Sequence, residues 1–410
     1  MNVSKTLLMV AFEFPPSNGA SVPRIESFYR YLKKWGWNVI VLTASPKSYG
    51  KIDETYQDDP DDLIFRALSL DVQKQLSFKG KYISAMAIPD RWGITWIPSA
   101  IRLGNKLVVS HQPDVIWSSS PIPSTHVIAN KLATKHGIPW LADYRDPFHY
   151  MNGSVGKWLD KVHRRIDQTT LKNASHLTFA TAAVKDLYQN KYKDLITEKS
   201  TVIENGYDEA NFQKLNRLEN KATPFDDNKF TLYYCGVLYT NGRDPLPVFE
   251  ALSELQSRGI FNSDNFELIF QGAGNGKDFA DKINRLNLNK MVKFIESVSF
   301  LKALNNMTQA SALLLIQDSR FNKQIPGKIY EYLRTQKSLL VKADPKGETA
   351  KLARQFSGVE VAYDQKSLTT SLSRLFETKV STPVHFINRT LDDYNREGKA
   401  RVLHTILIGL

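Results

Sequence analysis

Short apolar runs alternate with longer stretches of helical period along most of this chain, and that rhythm leaves few folds open. The runs at 7–14, 39–43, 115–118, 140–143, 177–180 and 201–204 are four to eight residues long. That is the length of a strand buried on both faces, and the stretches between them, such as 21–34 and 124–136, carry apolar residues on one helical face. Strands alternating with helices predict βα units and parallel sheets. A second series follows at 230–235, 267–271, 292–295, 312–316, 338–341 and 359–362. With 410 residues there is chain enough for two cores. The reading is an α/β chain of two doubly wound, Rossmann-like domains, 1–205 and 229–383, joined by a polar linker, 206–228. A last helical stretch, 384–410, has no strand after it and is expected to pack across both halves, crossing back to the first domain.

Composition narrows the function classes. Hydrophobic residues make up 42% of the chain and charged ones 23%, a globular balance that excludes a disordered chain. The 54 Lys+Arg against 42 Asp+Glu leave a net charge of +12, which draws a protein to phosphorylated ligands, anionic membranes or other polyanions. The first 200 residues hold 26 Lys+Arg and 18 Asp+Glu, a net +8. Cys235 is the only cysteine, so no disulfide forms within the chain and a reducing, cytoplasmic compartment is expected. The apolar stretch 7–12 is too short to cross a bilayer and runs into Glu13 and a Pro-Pro pair, so it reads as a strand and not a leader. Any membrane association is then peripheral, on the inner face of the cell membrane. No carboxylate or histidine cluster has metal-ligand spacing, and no essential metal or other cofactor is expected. The aromatics do not interleave with Lys and Arg in a nucleic-acid module, so nucleic acid is not the expected partner.

Four segments carry chemistry. Phe14-Pro15-Pro16-Ser17-Asn18-Gly19 follows the first strand and precedes the first helix, where Gly19 permits close backbone approach and the helix start favours an anion; a plain strand-to-helix turn reads the same way. Asp143-Tyr144-Arg145-Asp146 ends a buried strand, and its charges either hold a polar substrate or form a self-satisfied ion pair that pins the loop. Gly236-Val237-Leu238 leads into Gly242-Arg243-Asp244-Pro245, a glycine loop with a cation just before a predicted helix; Arg243 either meets a phosphate or is a turn residue beside a capping Asp244. Gln324-Ile325-Pro326-Gly327-Lys328 opens another predicted helix, with Glu331 three residues after Lys328 on the same face. That pair either serves a diphosphate and a ribose or is a salt bridge on a solvated face. The stretch 157–166 sets Lys157, Lys161, Arg164 and Arg165 on one helical face and Trp158, Val162 and Ile166 on another, as in a membrane-docking helix or a solvated helix packed on a core.

In order and spacing these segments resemble the GT-B-fold glycosyltransferases, specifically the retaining family 4 group that builds bacterial polysaccharides. The resemblance runs along nearly the whole chain and includes Pro89-Asp90-Arg91-Trp92 with Trp96, Pro121-x-Pro123 and Glu204-Asn205-Gly206-Tyr207-Asp208. It implies two domains facing a cleft. A nucleoside diphosphate sugar is then held mainly by the second domain through Gly236, Arg243, Gln324, Ile325, Lys328 and Glu331, with Gly19 close to it from the first. Glu331 matches the second carboxylate of the family's Glu-x7-Glu motif, which binds the donor ribose. Asn18 and Asp143 fall on the acceptor side, and Arg145 and Asp146 take the catalytic positions. The implied partners are the nucleotide sugar, a hydroxyl acceptor such as a polyprenyl-diphosphate-linked glycan, and an anionic membrane surface. Three positions depart from the pattern: Lys323 replaces the first Glu, Gly236-Val237-Leu238 replaces Gly-Arg-Leu, and Arg145-Asp146 stands where relatives carry His-Asp. A nucleotide-sugar epimerase or phosphorylase of the same fold, an inactive relative and a polyanion-binding protein are the competing readings.

Overall fold

The computed structural model describes residues 5–54, 56–148, 156–196, 199–218, 221–238, 242–377, 385–386 and 391–410. The chain divides into two compact units, Met1–Asn205 with Arg396–Leu410, and Gly206–Asn395.

Unit 1 is built on a seven-stranded sheet of β1 (Thr6–Val10), β2 (Asn38–Ala44), β3 (Leu63–Ala67), β4 (Val115–Ser119), β5 (Trp140–Tyr144), β6 (His176–Phe179) and β7 (Ser200–Val202). Its spatial order is β3-β2-β1-β4-β5-β6-β7. The pairings are parallel, with Thr6 opposite Asn38 and Leu7 opposite Val115. Both faces of β1 are buried: Leu8 and Val10 enter one core with Ile40 and Ile116, while Leu7 and Met9 enter another with Val39 and Val115. This is why the strand reads as an unbroken apolar run. Helices α1 (Val22–Lys34), α2 (Gly93–His111), α3 (Pro123–His136), α4 (Lys157–Asn173) and α5 (Ala182–Tyr192) complete the crossovers. Strand β3 was not expected. It lies on the sheet edge, is mostly half-buried, carries Arg66 and follows the acidic stretch 58–62, so it lacks the apolar signature of the inner strands.

Unit 2 repeats the architecture with β8 (Phe230–Cys235), β9 (Phe266–Gln271), β10 (Val292–Ile295), β11 (Ala312–Ile316), β12 (Ser338–Lys342) and β14 (Val359–Ala362), in the order β10-β9-β8-β11-β12-β14. A short antiparallel pair, β13 (Phe356–Ser357) with β15 (His385–Phe386), stands apart. The helices are α6 (Glu209–Leu215), α7 (Leu246–Ser257), α8 (Ala280–Arg285), α9 (Phe300–Gln309), α10 (Lys328–Arg334), α11 (Glu348–Ala353) and α12 (Gln365–Glu377).

Two expectations need correcting. The stretch 206–228 is not a free linker along its length: Tyr207 and Phe212 are buried in unit 2, and Asp208 caps α6 by accepting from Ala210 N (3.2 Å). Two aromatics anchor a segment whose composition is otherwise polar. Nor is 384–410 one helix. Residues 385–386 are strand, Leu391–Tyr394 is a 3₁₀ turn, and α13 spans Arg396–Gly409. The buried stripe that holds α13 runs along its length through Arg396, Ala400, Leu403 and Leu407. It packs within unit 1, where Trp37 Nε1 donates to His404 Nδ1 (2.8 Å) and Lys5 Nζ donates to the Ile408 carbonyl (2.8 Å).

Candidate functional site

An open parallel sheet opens a crevice outside the carboxyl ends of its strands, where the strand order reverses. In unit 1 that reversal lies between β1 and β4, and in unit 2 between β8 and β11. Every candidate site residue falls on a loop or helix start at those edges or on the strand next to them.

In unit 1 the loop after β1 folds around a side chain the sequence reading passed over. Glu13 accepts from the hydroxyls of Ser17 (3.4 Å) and Ser21, and Ser17 Oγ in turn accepts from Gly19 N (3.1 Å). A Cβ on Gly19 would sit 2.1 Å from Glu13 Oε1. Glycine leaves room there for the protein's own carboxylate, which its bonds to Ser17 and Ser21 hold in the close approach expected for a ligand. Asn18 is exposed at the loop tip, its N–H bonded to the Lys51 carbonyl (3.0 Å).

Asp143 is buried at the end of β5 and accepts four hydrogen bonds, from Arg24 Nε (3.2 Å) and Nη2 (2.9 Å), Ser119 Oγ (2.9 Å) and Thr178 Oγ1 (2.7 Å). Burial opposes its ionisation, but the Arg24 guanidinium and the two hydroxyls outweigh it and hold the carboxyl below the usual range. Arg24 also donates to the carbonyls of Ile203 (2.8 Å) and Glu204 (3.0 Å). The acceptor-side role expected for Asp143 does not fit this geometry, because its lone pairs are taken by donors inside the unit. It pins α1, β4, β5, β6 and the chain after β7 together.

Arg145 and Asp146 turn the other way. Arg145 Nη2 meets Asp146 Oδ2 at 2.5 Å, both side chains keep some exposure, and Arg145 Nε has no hydrogen-bond partner among the described residues. Ser120 Oγ donates to the Asp146 carbonyl (2.8 Å), tying this pair to the loop after β4. Behind them His126 is fully buried against Tyr144, with Nδ1 2.8 Å from Ser118 Oγ, and burial pushes its pKa down to about 3.

Unit 2 gathers its candidates more tightly. Strand β8 runs into Gly236, whose φ of 115° is open to glycine and strained for other residues. A Cβ there would also lie 2.9 Å from Lys328 Nζ. That ammonium caps the end of β8 by donating to the Cys235 carbonyl (2.7 Å) and lies 4.3 Å from the centre of the Tyr234 ring. Burial, with repulsion from Arg243, pushes its pKa down to about 7. Arg243 is held by the Val237 carbonyl (3.1 Å), and Asp244 accepts from Leu246 N (2.9 Å) at the start of α7. Gln324 and Ile325 lie on the loop leading to α10, fastened where Thr349 Oγ1 donates to the Gln324 carbonyl (3.1 Å). Glu331 is buried in the first turn of α10 and so is not on a solvated face; the neighbouring Tyr332 Oη accepts from Cys235 N (3.0 Å).

Two more cations belong to this edge and were not singled out from sequence. Arg320, on the loop after β11, pairs with Asp318 (2.8 Å) and passes beside Gly242. Lys342 ends β12 and is 8% exposed, and its carbonyl accepts from Gln317 N (2.9 Å) at the start of the loop that carries Asp318 and Arg320. Burial lowers its pKa against the pull of Asp244 and Asp318. The only sequence signal for Lys342 is a charge at the end of an apolar strand. Arg243, Arg320, Lys328 and Lys342 thus gather around the ends of β8, β11 and β12, an arrangement suited to a polyanion such as a diphosphate.

The basic stretch 157–166 is helical, as its pattern implies, within α4. Its inward residues are His163, Asp167, Thr170 and Leu171, while Trp158 is 60% exposed. Among the described residues no group of His, Cys, Asp or Glu is arranged to hold a metal, and no helix is long and apolar enough to cross a membrane.

Residues 22–211 match Glycosyltransferase Family 4. No curated protein sequence matches the chain. Among solved structures, the chain is similar to sucrose-phosphate synthase from Thermosynechococcus elongatus at 12% identity, covering 99% of each chain with a TM-score of 0.62. It is similar to Anabaena HepE in complex with UDP-glucose at 13% identity, covering 99% of this chain and 100% of that one, with a TM-score of 0.63. It is also similar to a UDP-N-acetylglucosamine 2-epimerase, so described for Listeria monocytogenes, at 14% identity, 98% and 96% coverage and a TM-score of 0.60. The fold is GT-B, two Rossmann-like domains, and over its first half the chain is similar to the family 4 glycosyltransferases.

Proposed function

We propose that this chain transfers a hexosyl or N-acetylhexosaminyl group from a nucleoside diphosphate sugar to a hydroxyl acceptor, with retention at the anomeric carbon. The observation that carries the reading is the cation cluster at the switch point of unit 2, centred on Lys328. Breaking the bond from the anomeric carbon to the diphosphate leaves negative charge on the leaving oxygen, and preorganised cations stabilise it. Lys328 and Arg243 face that diphosphate, with Lys342 and Arg320 behind them. Gly236, Gln324 and Ile325 shape the backbone around it, and Glu331 takes the ribose hydroxyls. The acceptor oxygen forms the new bond on the face the leaving group departs from, and its proton passes to the diphosphate. Neither a metal nor a carboxylate nucleophile enters this scheme. On unit 1, Arg145 and Asp146 offer a donor fork and an acceptor to a hydroxyl, and Asn18 on the loop after β1 offers a further polar side chain. The acceptor we infer is lipid-linked, as in the assembly of cell-surface polysaccharide on the inner face of the membrane.

The test is calorimetric titration with UDP, GDP and their common sugars, with Lys328→Ala and Glu331→Gln in parallel. Binding by the wild type and its loss in both variants is the expected result. A wild type that binds none of them refutes the reading. The second reading, a nucleotide-sugar epimerase, draws on the likeness to the Listeria structure. Donor consumption that requires an added acceptor excludes it.

A further inference from the structure

We propose that the segment 72–89 of unit 1 docks the protein on an anionic bilayer, with Phe78 and Ile83 entering the headgroup region. The segment links β3 to α2 and carries Lys74, Lys79 and Lys81 with no Asp or Glu. It folds as a tight reverse turn: Phe78 N donates to the Lys81 carbonyl (2.9 Å) and Lys81 N to the Phe78 carbonyl (3.0 Å), with Lys79 and Gly80 both at positive φ. Its base is fixed by Val72 N on the Arg91 carbonyl (3.0 Å), Gln73 Nε2 on Tyr82 Oη (2.9 Å) and Gln75 Nε2 on the Lys47 carbonyl (2.9 Å). A braced loop therefore holds Phe78 78% exposed and Ile83 68% exposed, with Leu76 and Tyr82 also exposed beside them.

The surroundings repeat the pattern. In a parallel sheet each helix that follows a strand starts at the carboxyl edge. Ile94, in the first turn of α2, is 44% exposed, and Trp158, in the first turn of α4 beside Lys157 and Lys161, is 60% exposed. His163 on α4 meets the Pro89 carbonyl at 2.7 Å, which ties that helix to the segment. Apolar tips set among lysines on one edge of a unit match an interface that is apolar below and anionic above. Leu76 and Ile83 gain from hydrocarbon and cannot stack on bases, which favours a bilayer over nucleic acid. The same edge carries the loops holding Asn18, Arg145 and Asp146, so docking there brings the acceptor side of unit 1 to the membrane. The docking itself is independent of the transferase reading.

Sedimentation of the full chain with vesicles tests it. Vesicles of phosphatidylglycerol and phosphatidylethanolamine are compared with pure phosphatidylcholine and with a DNA duplex. A lysine at an anionic surface strengthens partitioning about fivefold, so the three together supply about a hundredfold preference for the anionic vesicles. The Phe78→Ser/Ile83→Ser variant is expected to lose about tenfold or more of that binding. Because both side chains are exposed, its thermal midpoint and its nucleotide-sugar affinity stay unchanged. Binding by the variant equal to wild type, binding to DNA as strong as to vesicles, or no vesicle binding by the wild type each overturns the proposal. The calorimetry on unit 2 remains a separate test of the transferase reading.

Discussion

Lys328 is the residue on which the donor site turns, and its charge state gives a test that does not depend on turnover. In the free protein burial and the nearby Arg243 hold its pKa at about 7. A diphosphate beside Nζ favours the charged form and returns the pKa toward the ordinary value of about 10.4. The sign follows from linkage: the complex holds more protons than the free protein, so binding takes up a proton and weakens as pH rises above 7. At pH 7 about half of the free protein is charged at Lys328, and at pH 8.5 roughly 3% is, so affinity falls about sixteenfold over that interval, or about 1.6 kcal/mol. The assay is calorimetry at pH 8.5 with the UDP- or GDP-sugar that binds best at pH 7, in two buffers of different ionisation enthalpy. The difference in apparent heat gives the proton count, expected near one for wild type and near zero for Lys328→Met. A nucleotide sugar has no phosphate that titrates in this range, so the proton must come to the protein. Uptake near zero in wild type, or equal uptake in the variant, refutes the assignment of Lys328 to the diphosphate.

Other expectations rest on single contacts. Asp143→Ala strands the buried Arg24 guanidinium and is expected to lower unfolding free energy by about 3–5 kcal/mol, read from the urea midpoint. An unchanged midpoint would contradict the four-bond geometry. Gly19→Ala is expected to destabilise the wild type but be tolerated in a Glu13→Gly background, because the clash is with the Glu13 side chain; equal losses in both would remove Glu13 from the loop's structure. His126, held neutral down to about pH 3 by burial, makes the unfolded chain the better proton acceptor below pH 6.5. Stability therefore falls by about 1.4 kcal/mol per pH unit through that window, and His126→Gln flattens this acid limb in denaturation curves. Asp146→Asn is expected to slow transfer at least tenfold while leaving donor affinity intact; unchanged transfer would reduce the Arg145–Asp146 pair to a structural one.

The βα rhythm was legible because a strand covered on both faces must be apolar throughout. The ranges 230–235, 292–295, 312–316 and 359–362 therefore coincide with β8, β10, β11 and β14. The same physics hid β3, an edge strand with no need of an apolar run, and the folded role of Tyr207 and Phe212 in a polar stretch. The glycine loops singled out from sequence lie at the carboxyl edges of both sheets. Sequence also set the types of group available there: a cation at 328, a carboxylate three residues on, and Asp and Arg around 143–146.

Which of those groups face outward was decided by packing alone. Asp143 and Asp146 are three residues apart on one motif, yet the first is consumed by Arg24, more than a hundred residues away in sequence, and the second is not. The space beside Gly19 is filled by the Glu13 carboxylate, which no local pattern around the glycine records. Lys342 and Arg320 join Lys328 only because the strand order β8-β11-β12 brings three separate loops to one edge. Local pattern records how a residue's immediate neighbours meet solvent or core. Pairing between distant segments depends on sheet order and on which charges can satisfy one another once water is excluded, and only the tertiary structure carries that.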